Sequence, residues 1–554
     1  MLAMAGMLLV EINLLKLALA IVIMIVLPGV LLGLAPLVVT GWYALFSRGL
    51  ATIESGVVPA LSLLMVLAAA WFGGRPLYLT AERGFWSLIS VIEPVYALLR
   101  EGLRHLGEAL HKRVSPRRRR ALDAAATALA GLILCALALT AVVLVWPSTR
   151  WIGSIWDLRF PQRLIVPTLA NSVVLVGSFF AAAPLVWALA DASMPQPRPL
   201  RRFDEAAPGA RIWRVAHISD LHAVGGEYEF RIESGRRGPR GNGRMKRALE
   251  RLADEHAARP VDIVLMSGDM TDCGRSTEWA EFLGALREHP ELARLALILP
   301  GNHDLNVVDR TNPARLELPL SIGRTLRQMR ALSAMAAVQG DRVFVRVARS
   351  GPFDRTLSAF LNPHAQLLRD FADQGGYWRA WRLSRLWAEA FPMVLPPPEP
   401  GGLGVILLNS NAEANFSFTN ALGLVSSDQI RDMQAAMAQY PKARWLVALH
   451  HHLLEYPGIG SVFAARIGTA LINGSAFARA LRPLGRRIIA LHGHRHFDWI
   501  GACGETRIVS APSPVMNRAA TRSFLIQHFA EEEGGGIALL EPQRVNVRTS
   551  AIVA

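Results

Sequence analysis

Charged residues are spaced unevenly along the chain, and its first part contains four long stretches without any of them. These stretches cover residues 17–47, 55–74, 124–149 and 164–190, and no comparable stretch follows residue 192. Because an α-helix needs about 20 apolar residues to cross a bilayer, the pattern predicts about four membrane-spanning helices. We place them near residues 17–40, 56–74, 124–147 and 164–190, so that residues 1–192 form an all-α transmembrane domain.

The first apolar stretch has an alternative interpretation as a cleaved signal peptide. Its flank contains Glu11 and Lys16 where a signal peptide has a purely basic segment. The apolar run is also longer than the core of a signal peptide. A membrane span is therefore the favoured interpretation.

Basic residues are concentrated in the loop between the second and third predicted spans, which contains the run Arg117–Arg120. Since basic loops remain in the cytoplasm, this loop faces inward, and with four spans both termini do so too. The pattern thus predicts an integral protein of the inner or plasma membrane with a cytosolic C-terminal domain. Within the loop, residues 85–111 predict an amphipathic helix that either lies in the membrane interface or packs on neighbouring helices.

The hydrophobic pattern changes after a linker rich in proline and charge at residues 193–210. Short apolar runs then alternate with helical patterns, namely WRVAHIS, VDIVLMS, LALILP, GVILLN, WLVALH and RIIALH. Buried strands separated by helices predict an α/β domain over residues 211–554. The segment between Asp304 and Val405 is too long for a plain loop and predicts a cap-like insertion at about 305–400.

Composition excludes several classes of protein. A chain of 554 residues that is 52% hydrophobic is not intrinsically disordered, and its three cysteines cannot form a disulfide framework. The chain has 59 Lys and Arg against 44 Asp and Glu, a net charge of +15. This excess indicates an anionic partner but does not distinguish a membrane surface, a nucleic acid and a phosphorylated substrate.

Side chains that can bind metal follow five of the six apolar runs. They are Asp220 and His222, then Asp269, then Asn302, His303 and Asp304, then His450, His451 and His452, and finally His494 and His496. Strand ends are where α/β sheets place ligands, and residues two apart on an extended segment point the same way. Oxygen and nitrogen donors with a carboxylate able to bridge suit Mn, Fe or Zn. One such motif is more often a capped turn or a core histidine, but five in this order predict a metal site.

The motifs DLH, SGDMTD, PGNHD, ALHHHLL and GHRH resemble the five blocks of the calcineurin-like metallophosphoesterase superfamily, over roughly residues 211–515. The resemblance implies a two-sheet β-sandwich flanked by helices, with two divalent metal ions at the strand ends. It implies that His303 contacts the substrate phosphate or protonates the leaving group, and that Asp304 orients it. One metal would be held by Asp220, His222, Asp269 and His496, and the other by Asp269, Asn302, His450 and His494.

The implied reaction is hydrolysis of a phosphodiester, pyrophosphate or phosphomonoester bond by a hydroxide that bridges the two metals. The chain departs from the family pattern in three places. Leu453 stands where the fourth block commonly has proline, so His451 remains an alternative to His450. Asn409 stands where an aspartate is frequent. Asp272 replaces the tyrosine of purple acid phosphatases, so an iron-tyrosinate centre is not expected.

The expected partners are the lipid bilayer and a phosphorylated small-molecule or lipid-linked substrate, with no specific nucleic acid and an open oligomeric state. The insertion contains the aromatic and basic stretch GGYWRAWRLSRLWAEAF. Its tryptophans either fill the core of the insertion or lie at a membrane interface or against a base. The alternative function is a membrane transport or sensor protein whose cytosolic domain binds ligand without turnover. The complete set of metal motifs favours the enzyme.

Overall fold

A computed structural model of the chain describes two compact units, one within Met1–Met194 and one that begins at Pro195. Apart from isolated residues before position 26, the described residues are 26–51, parts of 95–107, 116–195, 197–226, 241–305, 322–346, 351–411, 422–456, 471–516 and 522–547. Each unit has its own buried hydrophobic cluster.

The first unit is helical. Its described long helices are α1 (Leu27–Ala51), α2 (Pro116–Val145) and α3 (Ile165–Ser193). By length and composition, the segments Ala121–Ser148 and Pro161–Ser193 are able to cross a membrane, and they coincide with the third and fourth predicted spans. Within the described residues, the apolar part of α1 is Gly29–Gly41, which is shorter than a bilayer requires. The second predicted span lies outside the described residues, so the four-helix domain is not confirmed.

Small residues allow α2 and α3 to approach closely. A Cβ atom added at Gly131 would lie 2.7 Å from the Cβ of Ala188. The buried Asn171 side chain of α3 donates to the carbonyl oxygen of Gly33 in α1 (3.2 Å) and to that of Arg150 in the segment after α2 (2.6 Å). Small residues and interhelical hydrogen bonds are the usual means of helix association in membranes. Of the predicted amphipathic helix at 85–111, only part of 95–107 is described, and that part is helical.

The second unit contains two β-sheets. Its strands are β1 (Arg198–Pro199), β2 (Ile212–Ile218), β3 (Ile263–Met266), β4 (Ala296–Ile298), β5 (Phe344–Val345), β6 (Arg355–Thr356), β7 (Met393–Leu395), β8 (Leu403–Leu407), β9 (Arg444–Ala448), β10 (Ile488–His492), β11 (Trp499–Cys503), β12 (Thr506–Ser510), β13 (Ser523–Glu531), β14 (Ile537–Leu539) and β15 (Gln543–Asn546). Within the described residues one sheet has nine strands in the order β1-β11-β12-β10-β9-β8-β7-β5-β6. The other has the order β14-β13-β2-β3-β4, with β15 paired to β13.

Helices flank these sheets and bury one face against them. They are α4 (Gly243–Ala258), α5 (Ser276–Arg287), α6 (Pro290–Ala293), α7 (Asn302–Leu305), α8 (Ile322–Gln339), α9 (Leu357–Leu361), α10 (Ala365–Gln374), α11 (Tyr377–Glu389), α12 (Ser427–Gln439) and α13 (Gly474–Leu481). The predicted α/β fold with two sheets is therefore confirmed. The six apolar runs of the sequence are β2, β3, β4, β8, β9 and β10.

The direction of the strands explains why the polar motifs converge. Strands β2, β3 and β4 are parallel neighbours in the six-stranded sheet, and β8, β9 and β10 are parallel neighbours in the nine-stranded sheet. Parallel strands present their carboxyl ends at the same edge of a sheet, which is where α/β folds bind ligands. The metal-binding motifs of each sheet therefore lie together, at the carboxyl ends of its parallel strands.

Two segments differ from their sequence-based interpretation. The described part of the insertion at about 305–400 is not a separate cap, because β7 pairs with β8 and β5 pairs with β7. Side chains of α8 to α11 also belong to the main hydrophobic cluster. Within the predicted linker, β1 pairs with β11, and the Asp204 carboxylate accepts hydrogen bonds from Arg507 and from the Leu539 N–H.

A buried glutamine completes the edge of the six-stranded sheet. Strand β4 lies at that edge. The Oε1 atom of Gln339 accepts from the N–H of Ile298 (2.6 Å), and its Nε2 donates to the Ile298 carbonyl (3.0 Å). A side chain of α8 thus replaces the missing neighbour strand just before the Gly-Asn-His-Asp motif.

The substitution Gln339→Leu should destabilise this edge. It leaves the buried N–H and C=O of Ile298 without partners, at a cost of about 1–3 kcal/mol each in the free energy of unfolding. We expect the melting temperature of the detergent-solubilised full chain to fall by several degrees. The control Gln366→Leu changes an exposed glutamine of α10 and should leave the melting temperature nearly unchanged. Equal melting temperatures for the two variants would contradict the edge-strand role.

Candidate metal centre

Five residues other than glycine have a positive φ angle in the described chain, and all five lie in the strand-end motifs. They are Asp220 (58°), His222 (45°), Asp269 (54°), His494 (70°) and His496 (55°). The left-handed conformation is unfavourable for residues with a Cβ and persists only where the surroundings enforce it. Such strain is concentrated at functional sites, so the backbone alone marks these motifs as a site.

One group of donor atoms forms around Asn302. Its Oδ1 lies 3.1 Å from Nε2 of His450 and 3.0 Å from Nδ1 of His494. The same Nε2 of His450 lies 3.2 Å from Oδ2 of Asp269. Donors about 2.1 Å from a shared ion lie roughly 3–4 Å from one another. The structure therefore brings together the four side chains that the resemblance assigns to one metal.

A second group forms around Asp220. Its Oδ1 lies 3.1 Å from Nε2 of His496 and 4.0 Å from Nε2 of His222. The same Nε2 of His222 lies 3.8 Å from Oδ2 of Asp269. Oδ2 of Asp269 thus belongs to both groups.

Two glycines allow this close approach. A Cβ added at Gly301 would overlap Oδ1 of Asp269, and one added at Gly268 would overlap the ring of His450. Gly268 also has a φ of 102°, which a residue with a side chain rarely adopts. The Gly-Asp and Gly-Asn pairs of the sequence are therefore steric requirements of the site.

The geometry distinguishes His450 from His451. Nδ1 of His451 lies 2.9 Å from the Ser410 hydroxyl, whereas Nε2 of His450 faces Asp269 and Asn302. The Ser410 hydroxyl also accepts from the backbone N–H groups of both histidines (3.1 Å each). Ser410 follows β8, the neighbour of β9, and no sequence motif predicts its role. Its contact with the two histidines follows from the pairing of β8 with β9, which local sequence patterns do not predict.

His303 lies beside both donor groups. Its backbone N–H donates to Oδ1 of Asp269 (2.8 Å), and its Nδ1 lies 2.9 Å from the carbonyl oxygen of Asp272. A carbonyl oxygen only accepts, so in the neutral ring Nδ1 carries the proton and Nε2 is the acceptor nitrogen. A ring nitrogen of His303 also lies within 4.8 Å of donor atoms of His222 and Asp269.

The hydrogen-bond partners of Asp304 differ from the one that the resemblance implies. The hydrogen bonds of its carboxylate go to the strand-end loops and not to the His303 ring. The donors are the N–H groups of Met270 (3.3 Å), Thr271 (2.9 Å) and Gly301 (2.9 Å) and the Thr271 hydroxyl (2.7 Å). Asp304 therefore fixes the loop after β3 against the loop after β4, and Asp272 holds the His303 ring through its carbonyl.

Asp272 also orients a predicted metal ligand. Its Oδ1 lies 3.0 Å from Nδ1 of His222, which leaves Nε2 of that ring directed at Asp220 and Asp269. Carboxylates commonly hold metal-binding histidines in this way. The sequence marked Asp272 only as the replacement of a tyrosine. Its position three residues after Asp269 is the one feature of the sequence that places it near the predicted metal ligands.

The charges of the site match those of a cation-binding centre. Burial would raise the pKa of Asp269, but His450 and His303 hold it below its usual range. Burial would lower the pKa of His450, but Asp269 and Asp220 raise it to about 9. The proton on His450 balances part of the negative charge of Asp269 and Asp220. A bound divalent cation would balance that charge instead. Burial also raises the pKa of Asp304, to about 6, with a further increase from Asp269.

The surroundings of His494 provide a separate test of whether these residues could bind a metal. Burial and the neighbouring imidazoles, His451 first, lower its pKa well below the ordinary value, so the ring is neutral. Its Nε2 is buried and has no hydrogen-bond partner within the described part of the chain. Nδ1 of the ring lies 3.0 Å from Oδ1 of Asn302, which only accepts, so Nδ1 donates there when it carries the proton. With the proton on Nε2 instead, the Nδ1 lone pair would be available to a metal. The residues present therefore fit a metal centre.

The sequence profile of the calcineurin-like phosphoesterase family matches residues 214–498. The match spans more than half of the chain and contains every donor described above. The chain belongs to this family and is a phosphoester hydrolase. Membership implies divalent metal ions, for which the structure provides the ligand groups.

Solved structures with similar folds are remote in sequence. A dimetal phosphatase from Danio rerio is 12% identical, covers 61% of this chain and 99% of its own, and has a TM-score of 0.34. A Staphylococcus aureus protein described as a 5′-nucleotidase is 14% identical (62% and 55% covered, TM-score 0.32). The purple acid phosphatase PPD1 of yellow lupin is 10% identical (60% and 52%, TM-score 0.30). No curated protein sequence matches the chain.

The shared position of Asp269 leads to a prediction about metal content. The purified full-length Asp269→Asn variant should lose both metals, because both donor groups include Oδ2 of this residue. The Asp220→Asn variant should lose mainly one. Metal analysis by mass spectrometry gives the stoichiometry of each protein. Retention of one full equivalent in Asp269→Asn would show that the two groups do not share this residue.

The contact between Asp272 and His222 leads to a second prediction. Asp272→Asn should weaken metal binding by about 10–100-fold, because the charge that orients the imidazole is removed. Titration of the metal-free full-length protein with Mn²⁺ measures this affinity. Asp373→Asn, an exposed position of α10, is the control and should bind like the unaltered protein. Unchanged affinity in Asp272→Asn would rule out the orienting role.

Proposed function

We propose that the chain is a dinuclear metallophosphoesterase whose two donor groups share Asp269. The observation that carries the proposal is the position of Asp269 Oδ2, 3.2 Å from Nε2 of His450 and 3.8 Å from Nε2 of His222. The donor set suits Mn, Fe or Zn. When bound, two such ions activate water and neutralise charge on a phosphoryl oxygen.

The side chains around the ligands would position the substrate. His303 is 3% exposed and has its Nδ1 proton directed at the Asp272 carbonyl. When the ring is protonated, Nε2 is therefore the atom that can donate to a phosphoryl oxygen or hold a proton for the leaving group. Asp304 keeps the turn that carries His303 in place through its bonds to Gly301 and Thr271.

We further propose that the enzyme is anchored in a membrane through α2 and α3, with the catalytic unit in the cytosol as the basic loop predicts. Only 11% of the most apolar 18-residue segment of α2, and 33% of that of α3, is buried. Leu144 and Leu189 are 74% and 71% exposed. Core helices of a soluble protein would bury such side chains, whereas lipid would cover them. A membrane-proximal substrate, phosphorylated and lipid-linked or small, fits this placement.

The direct test is hydrolysis by the full-length protein in detergent. With Mn²⁺ added, we expect turnover of a chromogenic phosphodiester or phosphomonoester, loss of activity with a chelator, and recovery when the metal is restored. No turnover with any of several divalent metals would favour the alternative, a transport or sensor protein that binds ligand without catalysis. Equal turnover of lipid-linked and soluble substrates would argue against a preference for lipid-linked ones.

The proposed role of His303 predicts a specific kinetic effect. His303→Asn should lower kcat by about 10²–10⁴-fold, because a positioned acid or base contributes that much to a proton transfer. Its metal content should remain unchanged, since the residue is not one of the proposed ligands. His364→Asn, at the turn before α10, is the control. A loss of metal in His303→Asn would instead make this residue a ligand.

A further inference from the structure

Helix α11 has two faces of different character. One face packs into the hydrophobic cluster of the second unit through Ala380, Leu383, Leu386 and Trp387. The Trp387 ring lies 5.0 Å from that of Phe391, so this tryptophan fills the core, one of the two roles considered for the aromatic stretch. The opposite face of the helix carries the other aromatic residues.

Tyr377 and Trp378 are unusually exposed. Their exposed fractions are 70% and 69%, and in the described part of the second unit the only other exposed large apolar residue is Ile212, at 42%. Single exposed apolar residues are common on soluble proteins. Two adjacent aromatic residues at the start of one helix indicate a surface that meets a partner.

Further residues extend this surface along the helix. The rings of Trp378 and Trp381 are stacked with centroids 5.0 Å apart, and the Arg385 guanidinium lies 4.6 Å from the Trp381 centroid. Residues three and four apart occupy the same side of a helix, which also places the exposed Arg382 beside Trp378. We call Tyr377, Trp378, Trp381, Arg382 and Arg385 the aromatic–arginine strip.

The turn before α11 fixes the orientation of the strip. Gly375 and Gly376 have φ angles of 64° and 105°, which reverse the chain between α10 and α11. The Arg379 guanidinium donates to Oε1 of Gln374 (2.8 Å) and to the Gly375 carbonyl (3.2 Å) across this turn. The strip is therefore presented by a helix that is held on one face by the core and at its start by Arg379.

We propose that the aromatic–arginine strip docks on an anionic phospholipid surface. Residues 375–390 contain three arginines and a single acid, Glu389, so the charge complements lipid phosphates. Tryptophan and tyrosine prefer the membrane interface, and the arginine guanidinium pairs well with phosphate. The inference rests on the proposed membrane anchoring, which would keep the strip at a high effective concentration near the bilayer.

The test uses the full-length protein in lipid nanodiscs that contain a photoactivatable phospholipid, with cross-links mapped by mass spectrometry. We expect cross-links within residues 377–385, at least about fivefold more abundant in discs with phosphatidylglycerol than in phosphatidylcholine alone. The double variant Arg382→Glu and Arg385→Glu should remove this difference, and Trp378→Ser should reduce the labelling. Arg287→Glu with Arg431→Glu, at exposed positions of α5 and α12, is the charge-matched control.

Each outcome bears on a separate claim. Labelling of Ala121–Ser148 without labelling of α11 would overturn the docking and leave the anchoring intact. Absence of labelling in Ala121–Ser148 would overturn the anchoring, and the docking with it. Equal labelling of α11 in neutral and anionic discs, or an undiminished signal in the Trp378→Ser variant, would show that the strip does not recognise anionic lipid. Hydrolysis of a soluble phosphoester in detergent should be unchanged in all these variants, because none of them alters a metal-centre residue.

Discussion

The structure depends on a carboxylate that is buried where the two sheets bring their motifs together. Asp269 follows β3 of one sheet, and its side chain faces His450, which follows β9 of the other. Burying a carboxylate is costly unless positive charge or hydrogen bonds compensate it. Here the His303 N–H and the imidazoles of His450 and His222 provide partners, and a divalent cation would provide more. The surrounding loops are arranged to meet this requirement.

That requirement explains the strained backbone. The proposed ligands with a positive φ lie two to four residues past the ends of β2, β3 and β10, and a relaxed extended backbone would continue in the direction of the strand. The cost is offset by contacts that tie the loops together, such as those of Asp304 with the loop after β3 and of Ser410 with His450 and His451. Rigid loops hold the donor atoms at fixed separations, which favours binding of metal without reorganisation.

The sequence predicted the parts of the molecule that local patterns determine. Apolar runs identified β2, β3 and β4, and spacing identified the donors that follow them. The roles of Asp272 and Ser410 escaped detection because they depend on contacts between loops far apart in sequence. The sequence of the insertion predicts a cap because strands of two or three residues, such as β5 and β7, give no periodic signal. Trp378 is exposed and Trp387 is buried, a difference that the sequence alone does not predict.

In the proposed site two metals share Asp269. Anomalous diffraction from crystals of the full-length protein grown with Mn²⁺ tests it most directly. We expect two anomalous peaks about 3.5–4 Å apart, one on each side of the Asp269 carboxylate. One peak should lie next to Asn302 and the other next to His496. A single peak, or two peaks of which only one contacts Asp269, would contradict the account.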